Sequence, residues 1–230
     1  MSILYVTRNL NHSGYFILKR LITDKVPIEA VVIPEKYSFF DYLISRKIAK
    51  FLYFLFCNYQ GSDHSKTINS ERLLAKSSNI PVFRIRSMNS RKFKKILINK
   101  SPKIIFLGGG GPELIPTWVI DQFHNRIFNT HPSLLPKFRG TSIHRWQILK
   151  KEKYSGITVH RVDKSFDTGN IIVQRKYEIS PNETPQSLFK SLAKLGSEMV
   201  SNLFNETKNL TDFSSIKEIK QSSINSENNY

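Results

Sequence analysis

Asn129, His131 and Asp167 are side chains whose types and spacing can do chemistry together. Asn129 and His131 stand two apart at the end of the apolar run Ile127-Phe128, and Pro132 and Pro136 then fix an irregular loop. Residues two apart in a strand point the same way, so the amide and the imidazole can share one cavity at a strand end. Asp167 comes later, on a loop that closes at Gly169. An amide, an imidazole and a carboxylate that converge on a cavity suit acyl transfer to an amine. The amide and a protonated imidazole can stabilise the oxyanion of a tetrahedral intermediate, while the carboxylate tunes the imidazole and helps to remove the amine proton. Taken singly, each residue also has an ordinary use. Asn129 can form a turn, Asp167 can bind its own loop backbone, and His131 can be a hydrogen-bonded structural histidine.

The elements that must carry these residues follow from hydrophobic periodicity. Ile3 to Thr7 reads as a buried strand, followed by a polar turn and an amphipathic helix from about Ser13 to Leu21. Glu29 to Ile33 is a second strand closed by Pro34, and Phe39 to Phe56 has its apolar residues close to helical spacing. After a polar stretch from Asn58 to Lys66, a helix is expected over Asn69 to Ser78, a strand over Val82 to Ile85 and a helix over Met88 to Asn99. Lys103 to Leu107 is again a strand and runs into Gly108-Gly109-Gly110-Gly111-Pro112. This alternation predicts an α/β fold, a mostly parallel twisted sheet with helices on both faces, with ligands bound beyond the carboxyl ends of the strands. Gly156 to Val162 and Asn170 to Tyr177 alternate like two strands joined by the Asp167 loop. Glu183 to Phe204 is a long helix, capped by Asn182 or a nearby hydroxyl. From Thr207 onward Ser and Asn dominate and a loosely ordered tail is expected. The division is thus a catalytic domain over 1–180, a C-terminal helical extension over 181–206 and a tail over 207–230.

The stretch Asn129-Thr130-His131-Pro132-Ser133-Leu134-Leu135-Pro136, with Arg139-Gly140, Gly156-Ile157-Thr158-Val159-His160-Arg161-Val162-Asp163 and Phe166-Asp167-Thr168-Gly169-Asn170-Ile171-Ile172, resembles the folate-dependent formyltransferase family. The match covers about Ile104 to Gln174, and its motif is Asn-x-His-Pro-Ser-Leu-Leu-Pro with a downstream Asp-x-Gly. The resemblance implies a Rossmann-like formyltransferase fold, an N-formyltransferase activity and 10-formyltetrahydrofolate as formyl donor. It makes Asn129, His131 and Asp167 the catalytic residues. It also implies that backbone groups of Glu113, Leu114 and Ile115, and of Ser165, Phe166 and Asp167, hold the pterin head. Leu114 and Ile115 can equally be core residues. Gly110 and Gly111, in the glycine run, read as a close backbone approach to the folate or as a simple turn.

The acceptor amine is read from departures. The turn Thr7-Arg8-Asn9-Leu10-Asn11-His12-Ser13-Gly14 has a single glycine, unlike the glycine-rich phosphate turn of glycinamide ribonucleotide transformylase. The residues after Ser180 are too few for the C-terminal barrel of methionyl-tRNA formyltransferase. By this elimination the expected acceptor is an anionic small-molecule amine, an amino sugar on a nucleotide such as a dTDP-amino sugar, used for surface polysaccharide or lipopolysaccharide. Methionyl-tRNA and glycinamide ribonucleotide are the competing amine acceptors. Water as acceptor would make the chain a formyltetrahydrofolate hydrolase, and a basic binding protein that keeps the fold without the activity is a further reading.

Composition supports a globular chain: 40% of residues are hydrophobic, with 16 Phe and 9 Tyr. The formal charge of +17 raises the local concentration of anionic ligands or reflects compositional bias. Between Arg84 and Lys103 the basic residues have no acidic neighbour and no aromatic platform, which suits a solvated helix face or contact with nucleic acid phosphates. Cys57 is the only cysteine, which excludes an intramolecular disulfide and argues against a cysteine-ligated metal site. No secretory leader and no spanning apolar run are visible, so a cytoplasmic enzyme is expected, compatible with a homodimer. His160 can support the site or fill the sheet, and Arg139 can clamp an anionic group or brace the proline loop.

Overall fold

A computed structural model of the chain describes residues 2–8, 11–34, 70–109, 113–207 and 216–221. The elements are β1 (Ile3–Val6), α1 (His12–Thr23), β2 (Ile28–Pro34), α2 (Glu71–Ser77), β3 (Val82–Ile85), α3 (Arg91–Lys100), β4 (Ile104–Leu107), α4 (Thr117–Gln122), β5 (Ile127–His131), α5 (Ile143–Leu149), β6 (Tyr154–Arg161), β7 (Ile171–Glu178) and α6 (Pro185–Thr207). The expected helix over Phe39 to Phe56 and the polar stretch after it lie outside the described residues.

The strands form one sheet in the order β3-β2-β1-β4-β5-β6-β7. Strands β1 to β5 run parallel, and β6 and β7 join antiparallel. The strand order reverses between β1 and β4, and the crevice beyond the carboxyl ends there is where an open α/β sheet binds ligands. All four residues of β1 and of β4 are buried, as central parallel strands covered on both faces must be.

Alternate residues feed two cores. Ile3, Tyr5, Val31 and Phe106 pack with Ile17, Leu18 and Leu21 of α1 and Leu188, Val200 and Phe204 of α6. On the other face Leu4, Val6, Val32 and Ile105 pack with Phe93, Ile96 and Leu97 of α3 and Val119 of α4. Apart from the exposed Ile98, the rest of helix α3 is polar, and a helix of 10 residues is marginal in isolation. Burying each of those three apolar side chains contributes roughly 1.5–3 kcal/mol, so packing rather than propensity holds it.

The boundaries differ from the sequence expectation for physical reasons. Met88 is buried in a turn, Ser90 caps α3 by accepting the Phe93 N–H (3.3 Å), and the helix starts only at Arg91. Helix α6 starts at Pro185, which suits a first helical position because it has no N–H to satisfy. The Thr184 hydroxyl, not Asn182, accepts the Ser187 N–H (3.1 Å). The short helices α4 and α5 were not expected; neither has a side-chain cap. Part of the expected loose tail is built into the fold: Ile219 exchanges two backbone hydrogen bonds with Ile171 (2.8 and 2.9 Å). Among the described residues no helix is long and apolar enough to cross a membrane.

The turn after β1 is stitched to the turn after β4. Asn11 caps α1 by accepting the Ser13 and Gly14 N–H groups (3.1 and 3.4 Å) and donates to the Gly109 carbonyl (2.7 Å). The buried Glu71 carboxylate accepts the Asn11 N–H (2.9 Å). A Cβ at Gly108 would stand 1.9 Å from the Tyr5 hydroxyl oxygen, so only glycine lets β4 end against that ring.

Candidate active site

A cavity of about 620 Å³ opens beyond the carboxyl ends of β4 and β5. Asn129, His131 and Asp167 all line it, as do Glu113, Leu114, Ile115, Ser165 and Phe166. Gly110 and Gly111 lie outside the described residues, while their neighbour Gly109 lines the cavity with a φ of 77°. The two-residue period of a strand holds here: Asn129 and His131, two apart on β5, reach the same space. Asp167 arrives on the β6–β7 hairpin loop with a φ of 55°, a left-handed conformation that Asp tolerates better than most residues.

Asp167 lies within reach of both other side chains. The Asn129 amide Nδ2 donates to Asp167 Oδ1 (3.4 Å) and is 3.2 Å from His160 Nε2. Asp167 Oδ2 lies 3.3 Å from His131 Nδ1 and accepts the Gly140 N–H (3.1 Å). His131 Nε2 is 2.6 Å from the Phe138 carbonyl, so this nitrogen carries a hydrogen and donates it. His160 Nδ1 donates to the Arg161 carbonyl (2.7 Å), which leaves its Nε2 to accept the Asn129 amide. The Asn129 orientation follows, because turning the amide over would set its oxygen against the Asp167 carboxylate.

That orientation leaves Asn129 Oδ1 buried without a hydrogen-bond partner among the described residues. An unpaired buried acceptor costs about 1–3 kcal/mol, a cost that a ligand supplying the missing donor removes. A group that brings an N–H into the cavity therefore fits this site. The expectation that the amide donates to an oxyanion needs adjusting. In this arrangement the donor is engaged within the site and the acceptor is left over.

Burial pushes the Asp167 carboxyl up, but His160 (Nε2 3.5 Å from Oδ1) and His131, each acting in its protonated form, and the Gly140 N–H outweigh it and hold the carboxyl below its usual value. Burial lowers His131 below the ordinary imidazole value of 6.5, although the Asp167 charge opposes it. At neutral pH the pair is thus an anionic carboxylate beside an uncharged imidazole whose Nδ1 lone pair is open to a proton. The two groups share a single proton-accepting position.

Several sequence readings resolve here. His160 supports the site through Asn129. Arg139 does not line the cavity; its guanidinium donates twice to Gln221 and braces the loop. The Glu113 carboxylate is taken by Ser87 (3.2 Å) and the Met88 N–H, so only its backbone is open to a ligand. Ile115 is a core residue that also lines the cavity, whereas Leu114 and Phe166 are exposed. Lys94 lies 4.8 Å from the centre of the Trp118 ring, so the basic segment does have an aromatic neighbour, brought in from α4. Sequence reasoning missed His144, Phe189 and Gln221. His144 and Phe189 line the cavity and pack ring against ring (5.0 Å), on helices remote in sequence. Only the helical period of α6 gave any signal for Phe189; Gln221 gave none. Among the described residues no cluster of His, Cys, Asp or Glu could hold a metal ion.

A family model described as formyl transferase matches residues 57–203. The chain is 36% identical over 123 residues to a methionyl-tRNA formyltransferase of Koribacter versatilis (strain Ellin345), covering 53% of this chain and 39% of that protein. It is 32% identical over 129 residues to the Thermotoga neapolitana methionyl-tRNA formyltransferase, covering 56% of this chain and 41% of the relative. The chain thus spans about two fifths of the length of these curated relatives. Among solved structures, glycinamide ribonucleotide transformylase 1 from Symbiobacterium toebii superposes with a TM-score of 0.66 at 19% identity, covering 95% of this chain and 92% of that one. A formyltetrahydrofolate deformylase from Pseudomonas syringae pv. tomato gives 0.65 at 14% identity, covering 95% of this chain and 65% of that one. These two likenesses establish the fold. With the family model matched across well over half of its length, the chain belongs to the formyl transferase family, folate-dependent enzymes whose formyl donor is 10-formyltetrahydrofolate.

Proposed function

We propose that this chain is an N-formyltransferase that moves a formyl group from 10-formyltetrahydrofolate to a primary amine in the cytoplasm, with Asn129, His131 and Asp167 as the catalytic residues. The observation that carries this reading is the convergence of the three side chains on the wall of one cavity at the ends of β4 and β5, with the Asp167 carboxylate 3.4 Å from the Asn129 amide and 3.3 Å from His131. The donor supplies an activated formyl carbon. The backbone of Glu113, Leu114 and Ile115 and of Ser165 and Phe166, which lines the cavity, would hold its pterin head. Asn129 Oδ1 accepts an N–H of the attacking amine and aims its lone pair at the formyl carbon. The His131–Asp167 pair takes the proton that the amine loses as the new C–N bond forms, and returns it to the departing folate nitrogen. The imidazolium held for that interval stabilises the negative charge on the formyl oxygen.

Methionyl-tRNA is the acceptor best supported. The curated relatives named above are methionyl-tRNA formyltransferases, and a net charge of +17 favours a polyanionic acceptor. The nucleotide-linked amino sugar expected from sequence has no support from those relatives and is the second reading. Glycinamide ribonucleotide is disfavoured because the Asn11 side chain occupies the Ser13 and Gly14 N–H groups at the start of α1, where a phosphate would otherwise bind.

The test is incubation of the purified chain with 10-formyltetrahydrofolate and, separately, methionyl-tRNA, a dTDP-amino sugar and glycinamide ribonucleotide, with His131→Ala alongside. Formylated methionyl-tRNA, with a rate that falls steeply with salt, is the expected product. Formylation of the sugar alone moves the assignment to the second reading. Formate release without amine identifies a hydrolase, and turnover retained by His131→Ala overturns the catalytic assignment.

A further inference from the structure

The segment 216–221 lies far from the catalytic motifs in sequence but against their backbone in space. Gln221 is 5% exposed. Its Nε2 donates to the carbonyls of Asp167 and Gly169 (2.9 Å each), and its Oε1 accepts from Arg139 Nε (3.1 Å) and Nη2 (2.6 Å). Both halves of the amide are therefore used, and they bridge the Asp167 loop to the Arg139 loop. Arg139 precedes Gly140, whose N–H donates to Asp167 Oδ2. A ring results: Asp167 backbone, Gln221, Arg139, Gly140 and back to the Asp167 carboxylate. The segment is anchored beside β7 by the Ile219–Ile171 backbone pair and by Glu218, which accepts from Asn170 (2.7 Å) and pairs with Arg161 (2.5 Å).

We infer that Gln221 is a positioning residue for the reaction, holding Asp167 in its left-handed conformation so that the carboxylate reaches His131 and Asn129. This inference rests on the catalytic role proposed for Asp167. A left-handed non-glycine residue persists only where its surroundings hold it, and Gln221 is the side chain that grips its carbonyl. Loss of that grip lets the carboxylate drift, and misplacement by about 1 Å can cost about 100-fold in rate. The two ends of the amide have separable jobs. The oxygen ties down Arg139, and the nitrogen ties down Asp167.

The test compares the full chain with Gln221→Ala, Gln221→Glu and the control Lys217→Ala, an exposed residue of the same segment. Gln221→Glu keeps the size and the Arg139 contact but cannot donate to the Asp167 and Gly169 carbonyls. Both Gln221 variants are expected to lower kcat by about 10- to 100-fold with both KM values within about threefold, while Lys217→Ala keeps wild-type rates. The second readout is the His131 ring titration by NMR. The Asp167 charge props that titration up, so a displaced carboxylate lets it fall further below 6.5. A wild-type rate in Gln221→Glu overturns the inference, as does an unmoved His131 titration in a folded variant. If Gln221→Ala does not fold, the isosteric Glu variant decides. If wild type transfers no formyl group to any amine, the proposed function fails, and the NMR titration still decides what Gln221 holds.

Discussion

Asn129→Asp is the most informative perturbation, because it changes charge and donor character without changing shape. It replaces Nδ2, 3.4 Å from Asp167 Oδ1, with a carboxylate oxygen. Two unit charges at that distance repel by roughly 5 kcal/mol at an effective dielectric constant near 20. The side chain of Asp167 is 11% exposed, so solvent screens part of this, and a net roughly half as large is the working figure. The site relieves the strain by binding a proton. At about 1.4 kcal/mol per pH unit, the coupled carboxyls gain roughly two units on one of their two ionisations. A group depressed below the carboxylate range in the wild type is thereby moved toward neutrality. The donor to His160 is lost as well, and a neutral hydrogen bond is worth about 0.5–1.5 kcal/mol, or roughly 2- to 10-fold in rate. Initial rates of formyl transfer between about pH 5 and 9 read both effects: a lower plateau and an acid limb displaced upward. Circular dichroism melts establish that the variant is folded. A variant with the wild-type plateau and an unmoved acid limb refutes the reasoning, because the amide nitrogen would then not face Asp167.

Three further outcomes follow from the packing and the charges. Phe204→Ala removes an α6 ring packed edge-on against Phe106 (5.3 Å) and should cost about 3–5 kcal/mol, read as a lower urea midpoint at unchanged slope. Gly169→Ala places a Cβ 2.0 Å from the Arg161 carbonyl, so the hairpin loop must shift; stability should drop by about 1–3 kcal/mol or more, and kcat should fall with it because Asp167 is two residues away. The third concerns pH. Burial lowers His131 in the folded chain, so below about 6.5 the unfolded chain binds a proton that the folded chain refuses. Stability therefore falls as pH drops from 6.5 toward the lowered folded value, and His144, lowered by burial and by Arg145, adds the same sign. His131→Gln should flatten the dependence of Tm on pH in that window, and an unchanged slope removes His131 from the account.

Strands were legible wherever local pattern and tertiary demand coincide. Ile3 to Val6 and Ile104 to Leu107 are unbroken apolar runs because central parallel strands are buried on both faces, and nothing else accommodates such runs so well. The antiparallel pair β6–β7 was legible from its alternation and short loop. Helix starts were not, because Arg91 and Pro185 become first residues only through hydroxyl caps whose geometry the sequence leaves open. Helix α5 carries no side-chain cap and forms where Ile143 is buried.

The site divides along the same line. The sequence by itself determined that Asn129 and His131 share a face, because the period of a strand is two, and its motifs pointed to the family and singled out Asp167. Only the tertiary structure decided what those groups do to one another. It set the Asn129 amide with its nitrogen toward Asp167, committed His131 Nε2 to the Phe138 carbonyl with Nδ1 beside the Asp167 carboxylate, and brought Gln221 beneath the Asp167 carbonyl. Each of these is a contact between residues apart in the chain, at a separation where a small displacement turns a donor into a bystander. Periodicity reports the face that a residue presents. It carries no record of which distant backbone will be folded against it.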